Sequence, residues 1–264
     1  MCPRGARLLI DGESRFVCHC LLIEGADGLV LVDTGFGLDD VRTPRQLGMV
    51  FNAVLRPSPD MAETAISQVR ELGFEASDVR HIVTTHLDLD HAGGLPDFPD
   101  AEVHVFAPEL KAALHPGWRE RPRYIAAHWR HGPRWVEHEA GGDDWFGFQS
   151  VRVLPGSDAE ILLIPLVGHS RGHAGVAVRR GDGWLLHCGD AFFYHGEIAT
   201  PPRVPKGIAA FDEVDRPARR GNVERLRELA ARHGGEVELI CAHDPQYLDA
   251  AKSNALHARA ASSP

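Results

Sequence analysis

Short apolar runs, each followed within a few residues by Gly, Asp or Pro, recur along the whole chain. Leu8-Leu9-Ile10, Phe16 to Ile23, Leu29 to Val32, His81 to Thr85, Ala101 to Phe106, Ile161 to Val167, Val176 to Val178, Trp184 to Cys188 and Val237 to Cys241 all have the length and β-branched content of strands. Between them the spacing lengthens. Ala65, Ile66, Val69 and Leu72 predict a helix over 61–73 with Gly73 as its stop, and Pro108 to Leu114 reads as a short helix. Val223, Leu226, Leu229 and Ala230 mark an amphipathic helix within 214–233, ended by Gly234-Gly235, and the residues after 244 predict a short helix and a tail. Residues 40–60, with three prolines, read as irregular. Strands alternating with helices point to the α/β class.

The strands share an ending. The run to Thr85 opens into His86-Leu-Asp88-Leu-Asp90-His91 and two glycines. The run to Val167 opens into Gly168-His169-Ser-Arg-Gly-His173, the run to Cys188 into Gly189-Asp190, and the run to Cys241 into Ala242-His243-Asp244. His86 and Asp88 stand at i and i+2, so extended backbone projects them to one side. Carboxylates and imidazoles this dense are costly to bury, and a bound cation removes that cost. A strand that closes on Asp33-Thr34-Gly35 adds a further carboxylate.

Composition narrows the partners. The formal net charge is −9 and no Lys/Arg run stands out, so a nucleic-acid partner has no electrostatic footprint. No stretch approaches the ~20 apolar residues of a membrane span. Five cysteines are few and odd in number for 264 residues, which argues against a disulfide framework and for a reducing, cytoplasmic setting. Cys18-His19-Cys20 lies in an apolar run and reads as strand core. Residues 115–149 hold Trp118, Trp129, Trp135 and Trp145 with weak periodicity, and read as an aromatic-rich insertion within one domain spanning 1–264, serving as lid, binding wall or contact to a second copy of the chain.

Taken together, the strand ends resemble the metallo-β-lactamase-fold superfamily of hydrolases, over nearly the whole chain. The resemblance implies a four-layer αββα sandwich and two divalent metal ions that activate water for attack on a small molecule. It implies His86 and His169 at one metal, Asp90, His91 and His243 at the other, and Asp190 between them, with Asp33 and His173 supporting. Asp90 is in place to relay the proton. The sequence departs from the family at Asp88, where a second histidine is expected. As a ligand, Asp88 adds a harder donor, which leaves iron or manganese open beside zinc; as a poor ligand, it leaves one ion held well and the other weakly. The branch of N-acyl-homoserine lactonases and related esterases looks nearest, so opening of a lactone or cleavage of an ester is expected. An iron-dependent enzyme handling persulfide or oxygen, and a phosphotriester or thioester hydrolase, are the alternatives. Phe193, Tyr194, His195 and Trp118 are the candidate substrate contacts.

Overall fold

A computed structural model describes residues 16–58, 60–203 and 213–261; the expected strand at Leu8-Leu9-Ile10 lies outside them. In chain order the elements are β1 (Leu21–Gly25), β2 (Gly28–Val32), α1 (Leu38–Arg42), α2 (Met49–Leu55), α3 (Ala65–Glu71), β3 (Val79–Val83), β4 (Glu102–Phe106), α4 (Ala107–Leu114), β5 (Arg134–His138), β6 (Asp143–Trp145), β7 (Phe148–Arg152), β8 (Ile161–Pro165), β9 (Ala174–Arg180), β10 (Gly183–His187), α5 (Arg216–His233), β11 (Val237–Ile240) and α6 (Pro245–Ala261). One sheet has the order β1-β2-β3-β4-β5, and the other β11-β10-β9-β8-β7-β6.

Period-two alternation builds four layers. On β2, Leu29 and Leu31 pack with Ile66 and Val69 of α3 and Leu110 of α4, while Val30 and Val32 turn the other way. They meet Ile161 and Leu163 of β8 and Val176 and Val178 of β9 in the layer between the sheets. The alternate positions Leu162, Ile164, Ala177 and Leu186 pack under Val223, Leu226 and Leu229 of α5. Each central strand is apolar on both faces because each face meets a different layer. The order is therefore helix, sheet, sheet, helix.

Three expectations need correction. Residues 40–60 carry α1 and α2 rather than irregular chain. The expected strand over 16–23 begins only at Leu21; residues 16–20 are extended without ladder pairing, and Val17 and His19 donate to the carbonyls of His243 and Ala242. The second half of 115–149 is not an excursion: β5 pairs in parallel with β4 at the edge of one sheet, β6 and β7 begin the other, and Trp145 is buried in the core beneath α5. Among the described residues, no helix is long and apolar enough to cross a membrane.

Candidate metal centre

The ligand-bearing turns sit together because both sheets end there. Asp33 N–H donates to the Val83 carbonyl, and Thr34 N–H to that of His91, so the end of β2 is zipped to the turn after β3. Gly94 allows this approach, since a Cβ there would lie 2.8 Å from the Thr34 carbonyl oxygen. From the other sheet, the Ala174 N–H donates to the Thr85 carbonyl across the interface, and Ala242 N–H donates to the Gly189 carbonyl beside β10 and β11.

Buried hydrogen bonds set the imidazole tautomers. Asp33, at φ 54°, is left-handed, a conformation Asp tolerates better than most residues. Its carboxylate accepts from Thr85 N (2.7 Å), Thr85 Oγ1 (2.7 Å) and His91 Nδ1 (2.9 Å). The Thr85 hydroxyl proton is thus committed, so Oγ1 accepts from His86 Nδ1 at 3.0 Å. His243 Nδ1 donates to the Val17 carbonyl at 2.8 Å. Three rings, those of His86, His91 and His243, are therefore held with Nε2 facing inward, where His243 Nε2 donates to Asp190 Oδ2 at 3.1 Å. His173 works differently: its Nδ1 donates to the Leu166 carbonyl (3.0 Å), and its Nε2 accepts the Asp190 N–H (2.9 Å), which orients Asp190. Gly189, at φ +52°, permits that contact, since a Cβ there would fall 2.6 Å from His173 Nε2.

The inward atoms converge. Asp190 lies 3.4 Å from His91 Nε2 through Oδ1, and 3.4 Å from His169 Nε2 and 3.1 Å from His243 Nε2 through Oδ2. Asp90 Oδ2 is 3.7 Å from His243 Nε2. His86, His169 and Asp190 form one candidate ion pocket, and His91, Asp190 and His243 a second. His86 Nε2, His91 Nε2 and Asp190 Oδ1 are buried with no hydrogen-bond partner, a demand that native sites meet with an ordered water or an ion. Electrostatics say the same. Burial alone would lower the His91 pKa, but Asp190, Asp33 and Asp90 raise it well above its ordinary value; burial is likewise outweighed at His243, chiefly by Asp190. Burial pushes the Asp190 carboxyl up, yet His243, then His91, hold it well below the usual carboxylate range. The cavity calls for positive charge, and a divalent ion supplies it without protons.

Two residues without a local sequence signal complete the centre. Glu109 of α4, fully buried, accepts from Leu87 N, Gly172 N, Ser170 Oγ and Tyr124 Oη, and so ties the turn after β3 to the turn after β8. Arg123 pairs with Asp88, Nε to Oδ1 at 3.0 Å and Nη2 to Oδ2 at 2.7 Å. Burial raises the Asp88 pKa, but Arg123, then His86, outweigh it and hold it well below its ordinary value. Of the candidate substrate contacts, Phe193 walls the site, stacked on His243 at 6.0 Å between centroids and edge-on to His169 at 5.8 Å. His195 is pinned by Asp244 Oδ2 through its N–H and its Nδ1, both at 2.8 Å. Tyr194 is buried with its hydroxyl donating to the Arg203 carbonyl, a packing role. Trp118 is 75% exposed and stacks with Arg119; no described contact joins it to the ligands. Cys18, read as core, instead brings its sulfur to the rim beside Asp90 and His243.

Residues 14–238 match the model of the metallo-beta-lactamase superfamily. The chain belongs to that superfamily. This metallo-β-lactamase-fold chain is 47% identical over 243 residues to a protein of Mycobacterium tuberculosis (strain ATCC 25618 / H37Rv) named "probable metallo-hydrolase", covering 90% of this chain and 78% of the relative. It is 30% identical over 226 residues to the N-acyl homoserine lactonase AttM of Azorhizobium caulinodans, covering 85% and 80%. A solved N-acyl homoserine lactone hydrolase, with N-hexanoyl-L-homoserine at its catalytic metal center, superposes with a TM-score of 0.70 at 20% identity over 94% of this chain and 92% of that one, a likeness of fold. By family, the protein is a metal-dependent hydrolase.

Proposed function

We propose that this hydrolase opens a lactone or cleaves an ester bond in a small molecule bearing an apolar group. The observation that carries the reading is the pair of orphaned inward atoms, His91 Nε2 and Asp190 Oδ1, beside the apolar wall of Phe193. The relatives named as lactonases support it. When bound, a divalent ion supplies a Lewis acid that lowers the pKa of water and polarises a carbonyl. The chain's own residues do the rest. Asp90, next to His91 in the turn, has 19% of its side chain exposed, so its carboxylate is open to take the proton of the attacking water. Phe193 screens the ligands from bulk water and offers a face to an acyl chain or ring. His195, tied to Asp244 beside His243, is the group that protonates the leaving alkoxide. Elemental analysis of the purified protein, then assay of lactones, aryl esters and phosphotriesters with each metal, tests the reading. Hydrolysis of a lactone or aryl ester is expected; a metal-replete enzyme inert on the whole panel overturns it.

A further inference from the structure

The two ion pockets are not equivalent, and Arg123 makes the difference. Its guanidinium grips Asp88 with two nitrogens, and Nη2 also lies 2.6 Å from His169 Nε2. Arginine has donors only and keeps its charge, so at that contact His169 Nε2 must be the acceptor. The 3.1 Å approach of Asp88 Oδ2 to the same nitrogen is then not a hydrogen bond. An ion in the His86–His169 pocket would need that same lone pair, about 2.0–2.1 Å along it. One lone pair cannot serve both, so the residues present do not fit an ion there while Arg123 is in place.

In the other pocket the described hydrogen bond on an inward nitrogen is His243 Nε2 to Asp190 Oδ2, whose proton an ion displaces, and no described arginine or lysine competes. His91 Nε2 and Asp190 Oδ1 are unpartnered, and Asp90, His243 and the Cys18 thiol add donors. Charge agrees. Among the described residues, Asp33, Asp88, Asp90 and Asp190 bring four negative charges; Arg123 pairs with Asp88, and one divalent ion neutralises Asp90 and Asp190. Asp33 keeps its charge on three donated hydrogen bonds. A second divalent ion would face the guanidinium as a like charge.

We propose that the protein holds one tightly bound divalent ion, among Asp90, His91, Asp190 and His243, and that the Arg123 guanidinium, clamped by Asp88, takes the place of the second. The proposal deepens the hydrolase reading by naming the site's cation content, but the binding measurement does not depend on any substrate.

Titration of metal-stripped protein with zinc, followed by elemental analysis after dialysis, tests it. Wild type is expected to retain one equivalent per chain, with any second equivalent at least ~100-fold weaker. The double variant Asp88→His with Arg123→Met, which removes the competing cation and restores an imidazole, is expected to retain two. Wild type that retains two tight ions, or none, overturns the proposal, and so does a folded double variant that stays at one. If that variant does not fold, the wild-type stoichiometry decides alone. One ion with no turnover on the substrate panel would leave this inference standing and remove the lactone and ester reading.

Discussion

Two groups of histidines meet at β3, one past its end and one within it, and only the first has buried nitrogens without hydrogen-bond partners among the described residues. At the strand ends, His86, His91 and His243 have their outer nitrogens anchored and their inner nitrogens aimed at carboxylates. Within β3, β4 and β5, His81, His104 and His138 also come together, beside a cavity of about 420 Å³ that His81, Glu102 and His104 help to line. There the rings satisfy one another: His81 Nδ1 and His104 Nε2 are 3.1 Å apart, and His104 Nδ1 and His138 Nε2 are 3.0 Å apart. One choice of tautomers gives each contact a donor and an acceptor. Three histidines at close range are thus not a centre in themselves. What separates the two groups is whether buried nitrogens are left without partners: the strand-centre trio leaves one lone pair, at the partly exposed His81 or His138, although His81, Glu102 and His104 also lie close enough together to hold an ion.

The contrast between the groups is most exposed at Asp190, which lies against His91, His169 and His243. Asp190→Ala is expected to lose the bound ion and more than ~100-fold of kcat/KM, whereas His81→Ala should leave metal content unchanged. Elemental analysis of the pair checks both, and a loss of metal in His81→Ala would show that the strand-centre group binds an ion. Next comes the frame of the centre. Glu109→Ala strands several buried donors and should cost about 3 kcal/mol, read as a lowered urea midpoint, with Glu109→Gln recovering part of it. An unchanged midpoint would deny Glu109 its tie between the turns.

A smaller effect is expected at the wall: Phe193→Ala should raise KM about tenfold for long-chain substrates and much less for short ones. Equal changes for both would take the acyl group off that ring. The smallest is a pH effect in the strand-centre group. Burial first, then His138 and His81, push the His104 pKa from 6.5 down to about 3. Below pH 6.5 the unfolded chain takes up a proton that the folded chain refuses, so this contribution to stability is present above pH 6.5 and is lost as the pH falls toward 3. Against His104→Phe, wild type should lose about 1 kcal/mol between about pH 7 and about pH 5.5. Parallel stability profiles would show that His104 is not held neutral.

The layers and the ligand turns were legible in the sequence because each is a local pattern: alternation along β2 and β8, and a His or Asp just past a strand. Arg123 was not. Nothing around it in Arg121-Pro122-Arg123-Tyr124 distinguishes it from its neighbours, and its meaning comes from Asp88, which is remote in sequence. Asp88 itself stood out, but only as a departure; the structure supplies the partner that accounts for it. Trp118 misled for the opposite reason, since aromatic density in a segment says nothing of which ring turns inward. Glu109 sat in a stretch read correctly as a short helix, but its role depends on four donors from three other places in the chain.

The inward side chains are divided between the two sheets: His91 and Asp90 follow a strand of one, Asp190 and His243 follow strands of the other. An ion among them is a rivet through the sandwich. Pulling it out and parting the sheets become linked events, so resistance to a chelator should rise and fall with resistance to heat.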